Sequence, residues 1–146
     1  MSMKIIAAAL LVTAFAAPAF AQADPSAARQ ALMKSNGKDT KAGAGMLKGE
    51  VPFDAAAGQA IFARMNDVAG KFGNYFPKGS ETGGETEAAP AIWAKPGEFK
   101  AALVKFQTDT AAAVAAKPAT QADFGKQFAA VTANCKSCHE AFRIKK

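Results

Sequence analysis

The last stretch of the chain limits its fold more than any other. Phe124, Phe128, Val131, Cys135, Cys138 and Phe142 follow one another at spacings of four, three, four, three and four. This is a heptad-like seam along one face of a helix, and a seam of that kind has to be covered by other elements. Three similar segments precede it. Asp24-Pro25 is a start signal, an N-cap followed by proline at the first helical position. The first helix is expected to run from there to about Lys48, where Gly49 and Pro52 stop it. Gly37, Gly43 and Gly45 weaken its second half, which should be irregular or tightly packed. Asp54 caps a second helix with one apolar stripe, Ala57, Ile61, Met65, Val68, Phe72 and Tyr75, closed by Pro77. A third starts around Pro96, carries Phe99, Leu103, Phe106, Thr110 and Val114, and ends at Lys117-Pro118. The fourth, which bears the seam, opens at Thr120 or Gln121.

Residues 78–90 are rich in Gly, Ser, Thr and Glu and read as a loop longer than the usual helix–helix connection. Its part from Ser80 to Glu87 is expected to be solvated and mobile. There is no internal repeat and no useful strand-like alternation. A chain of 146 residues suits one domain with one core, and its many alanines favour close helix packing. The expected fold class is therefore all-α, an antiparallel up-down-up-down four-helix bundle. In that topology the start of the first and third helices and the end of the second and fourth share one pole.

The N-terminus reads as a leader outside the fold. Lys4 precedes an apolar run from Ile5 to Phe15, and Ala19-Phe20-Ala21 fits the small-x-small cleavage rule. The run is short of the about 20 residues a membrane span needs. Residues 1–21 are thus expected to be a cleaved signal peptide and residues 22–146 the mature domain, exported, soluble and periplasmic, with no membrane span after cleavage. The formal charge is +6, and only Lys4 of the charged residues lies in the leader. The basic residues are spread along the chain, apart from a small cluster at Arg143, Lys145 and Lys146, and show no interleaving with aromatics. That argues against nucleic acid and for steering of an acidic partner.

The seam carries the chemistry. Cys135-Lys136-Ser137-Cys138-His139 is a C-x-x-C-H sequence, the signature of covalent haem attachment. On a helix, positions i and i+3 share a face, so both sulfurs can reach one haem edge, while His139 can bind the iron. Rival readings fit less well. A Cys135–Cys138 disulfide would close a tiny loop. A thioredoxin-like pair belongs at a helix start in a βαβ setting. A structural zinc wants four N or S ligands, and the chain has two Cys and one His. One covalently attached haem c is the expected cofactor.

With a single histidine, a second His ligand from the same chain is excluded, which leaves Met, Lys, a small exogenous ligand or nothing. Among Met33, Met46 and Met65, geometry favours Met33, which lies near the start of the first helix and hence at the haem pole. Met46 is 13 residues further on, about 20 Å along the axis, and Met65 sits on a core stripe. Both read as core residues. Arg29, one turn before Met33 on the same face, reads equally as a surface residue or as a partner for a haem propionate. Phe72, Tyr75, Trp93 and Phe99 are expected to wall the same pole.

Laid out in this way, the chain resembles the class II cytochromes c, the cytochrome c′ family, a family already known as four-helix bundles. Cys-Lys-Ser-Cys-His-Glu-Ala-Phe-Arg at 135–143 is the most specific part. Met46-Leu47-Lys48-Gly49-Glu50 with Pro52, Phe53 and Asp54 is similar to the family's first interhelix junction. Thr82-Gly83-Gly84-Glu85, Pro90-Ala91-Ile92-Trp93 and Arg29-Gln30-Ala31-Leu32-Met33-Lys34 also match. The family holds high-spin members with an empty sixth position that bind nitric oxide or carbon monoxide, and low-spin members in which a first-helix Met binds iron. The run Leu32-Met33-Lys34 with Asn36-Gly37 looks more like the low-spin group. The resemblance implies an electron carrier rather than a turnover enzyme, with His139 and Met33 as axial ligands. It also implies Arg29 and Gln30 on the propionate side, Glu85 at the haem edge, a redox protein partner and a possible small gas ligand. Many members pair through their first two helices, and Gly43, Ala44 and Gly45 would permit such a homodimer.

Overall fold

Each long helix begins where its cap chemistry allows. In the computed structural model, which describes residues 24–83 and 85–144, α1 spans Pro25–Lys48, α2 Ala55–Phe72, α3 Ala91–Ala94, α4 Pro96–Ala116 and α5 Gln121–Phe142. The expected leader and its cleavage site lie outside the described residues, as do Gly84, Lys145 and Lys146. The Asp24 carboxylate accepts from the Ser26 N–H at 2.9 Å, and Asp54 Oδ1 accepts from the Ala57 N–H at 2.6 Å. At α5, Thr120 Oγ1 accepts from the Asp123 N–H at 3.1 Å and donates to the Asp123 carboxylate at 2.8 Å. Such caps are worth about 1 kcal/mol each. Gly49 ends α1 in the left-handed region, φ 74°, where a side chain would be strained.

α1 packs on α2, α2 on α4, α4 on α5 and α5 back on α1, so chain neighbours are spatial neighbours, the up-down-up-down arrangement. α3 is a single turn between the expected loop and the third expected helix, and it leads into α4 at Pro96. A 3₁₀ turn, Gly73–Tyr75, extends α2. None of the described helices is long and apolar enough to cross a membrane.

The bundle interior is divided between two apolar clusters. The first joins Met46, Ile61, Phe62, Met65, Ala113, Phe124, Phe128 and Val131, so Met46 and Met65 are core residues as expected. α2 is covered from both α1 and α4, which buries Phe62 and Ala69 beside the stripe read from the sequence. Of the glycines in α1, Gly43 is the one that close packing requires. A Cβ there would lie 2.4 Å from Phe128 Cε2, so the residue lets α1 and α5 close on each other. The helix is tightly packed at this point and stays continuous. Gly43 thus serves a contact within the chain. The second cluster, around Ile92, Phe99 and Phe142, gathers Phe72, Phe76, Leu103 and Cys138 at the opposite pole.

Candidate functional site

That second pole opens on a cavity of about 990 Å³, lined by Arg29, Gln30, Met33, Glu85, Cys135, Cys138 and His139, which are all seven site residues expected from the sequence. The volume is at the upper end of the roughly 300–1,000 Å³ usual for small-molecule sites. α5 supplies one wall. Cys135 and Cys138 are free and half-buried, and burial raises both thiols above their usual pKa. Raised thiols are poor nucleophiles, which does not suit a thiol–disulfide enzyme. His139 is pulled below its usual pKa, chiefly by burial and further by Arg143, so its imidazole is held neutral and its lone pair is available to a metal.

α1 supplies a second wall, with Arg29, Gln30, Met33 and Asn36. Aromatic rings close the rest. Phe76 lies 4.8 Å from Phe99 and 5.1 Å from Phe72, centroid to centroid, and Phe99 lies 5.3 Å from Phe142. Phe72 and Phe99 line the cavity as expected, but Tyr75 and Trp93 do not. The 3₁₀ turn after α2 shifts the helical phase, which brings Phe76 rather than Tyr75 to the wall. Trp93 stands behind Phe76, 5.9 Å away.

Arg29 is 6 % exposed, so it is not a surface residue. Its guanidinium lies 4.9 Å from the Phe76 ring centroid and 5.9 Å from that of Trp93. It donates to Ser80 Oγ at 3.4 Å, Ser80 O at 3.1 Å and Thr86 Oγ1 at 3.2 Å. Burial lowers its pKa and Asp24 partly offsets this. Of the five N–H groups an arginine carries, two are left for another acceptor.

The same bonds correct the expectation that Ser80 to Glu87 is loose. Gln30 Nε2 donates to Glu85 O at 2.8 Å, and the loop's far end is stapled to the end of α5. The Ala89 N–H donates to Phe142 O and the Ile144 N–H to Glu87 O, both at 2.9 Å. Ala88 and Arg143 form an isolated antiparallel bridge, and Arg143 Nε donates to Glu87 Oε2 at 2.7 Å. Sequence reading gave no sign of these partners, because each pairs a loop residue with one more than 50 positions away.

Among the described residues no group of three or more His, Cys, Asp and Glu could hold a metal ion. Besides the carboxylates of Glu50, Glu85 and Glu87, the donors lining the cavity are one imidazole, two thiols and a thioether, with Arg29 beside them and apolar rings around. That set fits a haem, a metal that arrives in its own macrocycle: thiols for attachment, imidazole for iron, Arg29 for the carboxylates.

A helical bundle whose last helix carries C-x-x-C-H into such a cavity defines the class of small helical c-type cytochromes. The family model described as Cytochrome C′ matches residues 24–143, and the chain belongs to that family. It is 40% identical over 146 residues to cytochrome c-556 of Agrobacterium fabrum, covering 100% of this chain and 99% of the relative. It is also 40% identical over 148 residues to cytochrome c′ of Rhodopseudomonas palustris, with the same coverage of the two chains. The solved structure of cytochrome c′ from Rhodopseudomonas palustris superposes with a TM-score of 0.81 at 39% identity, over 86% of this chain and 99% of that one. Proteins of this family bind covalently attached haem c, and the two cysteines here stand in the C-x-x-C-H pattern for it.

Proposed function

We propose that the protein is a periplasmic one-electron carrier with His139 and Met33 as the axial ligands of a haem attached through Cys135 and Cys138. The observation that carries this reading is that Met33 of α1 and His139 of α5 line one cavity, whereas Met46 and Met65 are locked in the other cluster. When bound, the haem supplies an iron that cycles between ferric and ferrous, and a Met/His pair raises its potential. The chain's own residues hold and shield it. Phe72, Phe76, Phe99 and Phe142 would keep water from it, Arg29 would balance the charge of its propionates with Gln30 on the same side, and Glu85 would border its edge.

Partner choice follows from charge. Lys34, Lys38 and Lys41 lie on the solvent side of α1, and Lys41 borders the cavity. None of the three makes an ion pair among the described residues, and the helix's Asp39 is turned inward to Arg64. This lysine row steers an acidic redox protein to the haem side of the molecule. Export rests on the leader read from the sequence, with the mature domain starting near Gln22; the intact mass of the exported protein reports both cleavage and haem attachment.

An absorption spectrum, oxidised and reduced, with and without carbon monoxide, tests the axial assignment. The expected result is low-spin bands, a methionine-to-iron charge-transfer band that Met33→Ala abolishes, and slow carbon monoxide uptake. High-spin bands with prompt uptake would instead make the protein a five-coordinate binder of nitric oxide or carbon monoxide, with Met33 as a packing residue. The equal identity to a relative named cytochrome c′ is what favours that second reading.

A further inference from the structure

The cavity is lined by two arginines whose charges meet different fates. Arg29 bonds to two hydroxyls and a carbonyl and to no carboxylate, so its charge is left for what the cavity receives. Arg143 instead donates from Nε to Glu87 Oε2 at 2.7 Å, and its Nη2 pairs with the same oxygen. Among the described residues, two ion pairs join distant parts of the chain, Asp39–Arg64 and Glu87–Arg143. Of these two, only the second has both members on the cavity wall. The loop is already stapled to α5 by the backbone bonds from Ala89 to Phe142 and from Ile144 to Glu87. A pair whose side chains are 51% and 31% exposed adds little to that hold. What the pair does change is the field at His139. Arg143 lies one turn beyond His139, and its backbone N–H donates to the His139 carbonyl at 3.2 Å. Burial is the larger effect on the imidazole's pKa, but both charges reach it, Arg143 lowering it and Glu87 raising it. The neighbouring Glu140 is paired with Lys136.

We propose that Glu87 tunes the haem's reduction potential: by pairing with Arg143 it cancels a positive charge one turn from the axial histidine and so holds the potential down. Haem iron gains one positive charge on oxidation. A bare cation nearby therefore disfavours the ferric state, and a bare anion favours it. The loop thus contributes to the potential through a side chain that α5 does not supply. The inference rests on the reading that His139 binds the iron of an attached haem. It does not depend on Met33 being a ligand.

The test is a redox titration of the exported, haem-loaded protein at low salt, comparing the parent, Glu87→Gln, Arg143→Gln and the double variant. At the parent's midpoint, where ferrous and ferric forms are equal, Glu87→Gln should shift the ratio about threefold toward ferrous and Arg143→Gln about threefold toward ferric, the scale of a part-exposed pair. The double variant should lie near the parent. High salt should shrink both single shifts, because exposed charges are screened. A purely structural staple behaves differently. Losing either partner loosens the same loop, so both variants would move the potential in one direction, with little effect of salt. Shifts of the same sign, or no shift in Glu87→Gln, overturn the proposal. If Arg143→Gln is not loaded, Arg143→Lys, which keeps the charge, takes its place and should match the parent; a shift as large as that of Glu87→Gln overturns the proposal as well. The parent's spectrum decides the Met33 assignment separately, so its failure leaves this test standing. Export without any haem sinks both.

Discussion

The two halves of the bundle use the same kinds of residue to opposite ends. In the half away from the cavity, Ile61, Phe62, Met65, Phe124 and Val131 are each 1% exposed or less. Their rings touch one another, with Phe62 and Phe124 at 5.0 Å and Phe124 and Phe128 at 5.4 Å. Here the chain fills its own interior. At the cavity pole the aromatics are as numerous and as close, but Phe72, Phe76, Phe99 and Phe142 also turn a surface to the cavity. Polar tethers do much of the holding there: buried Arg29 to the loop, Gln30 to Glu85, and the end of α5 to residues 87–89. One half is filled by its own side chains, with cross-helix bonds such as Asn66 Nδ2 to Thr110 Oγ1 beside the packing. The other is a set of braced walls whose packing is completed by a cofactor.

The largest expected effect breaks the braced half and spares the packed one. Cys135→Ala with Cys138→Ala removes haem attachment and leaves the apolar walls facing water. Each such side chain forfeits about 1.5–3 kcal/mol of burial, against a total stability of roughly 5–15 kcal/mol for a domain. Hydrogen exchange should show lost protection in the first turns of α1, residues 78–90 and the end of α5. Amides near Ile61–Met65 and Thr110–Ala113 should stay the slowest. Uniform loss along the chain would mean that the two halves are one cooperative unit and that the contrast is wrong. The converse change comes next in size. Phe62→Ala should cost about 3–5 kcal/mol in urea unfolding of the loaded protein while leaving its absorption spectrum unmoved. A shifted spectrum would couple the packed half to the site.

The same division explains what could be read from the sequence. Helix ends depend on caps a few residues apart, so Asp24-Pro25, Asp54, Thr120 and Gly49 marked them correctly. The C-x-x-C-H spacing and the position of Met33 within its helix are likewise local, and both fell on the cavity. What escaped depends on distant partners. Nothing near Arg29 in sequence announces Ser80 and Thr86, so the residue looked no different from a solvated one and the loop looked loose. Tyr75 was placed by continuing an α-helical period through a 3₁₀ turn, where the period no longer holds. Phe62 was missed because a single stripe was assumed for a helix flanked on two sides. Asn36, inside the polar run from Lys34 to Lys41, reads as ordinary helix surface until its burial is seen.

The smallest expected effect lies where the halves meet. Asp109 of α4 accepts from Asn134 Nδ2, one residue before Cys135, and from Lys105 Nζ. Those two bonds, the one from Asn134 foremost, hold its carboxyl below the usual 3.8, against a smaller opposing effect of burial. A carboxylate whose pKa is lower folded than unfolded adds stability that is fully present above the unfolded value and is lost as pH falls through the folded one. Asp109→Asn should therefore cost about 0.5–1 kcal/mol at pH 7, the scale of a part-exposed pair, and nothing near pH 2, read from urea midpoints of the loaded protein. A loss equal at both pH values would show that the shape of the side chain matters and its charge does not. If the haem bands also move at pH 7, the Asp109–Asn134 link bears on the α5 wall. The pole would then be braced from α4 as well as from the loop, and the line between packed and braced halves would run through α4.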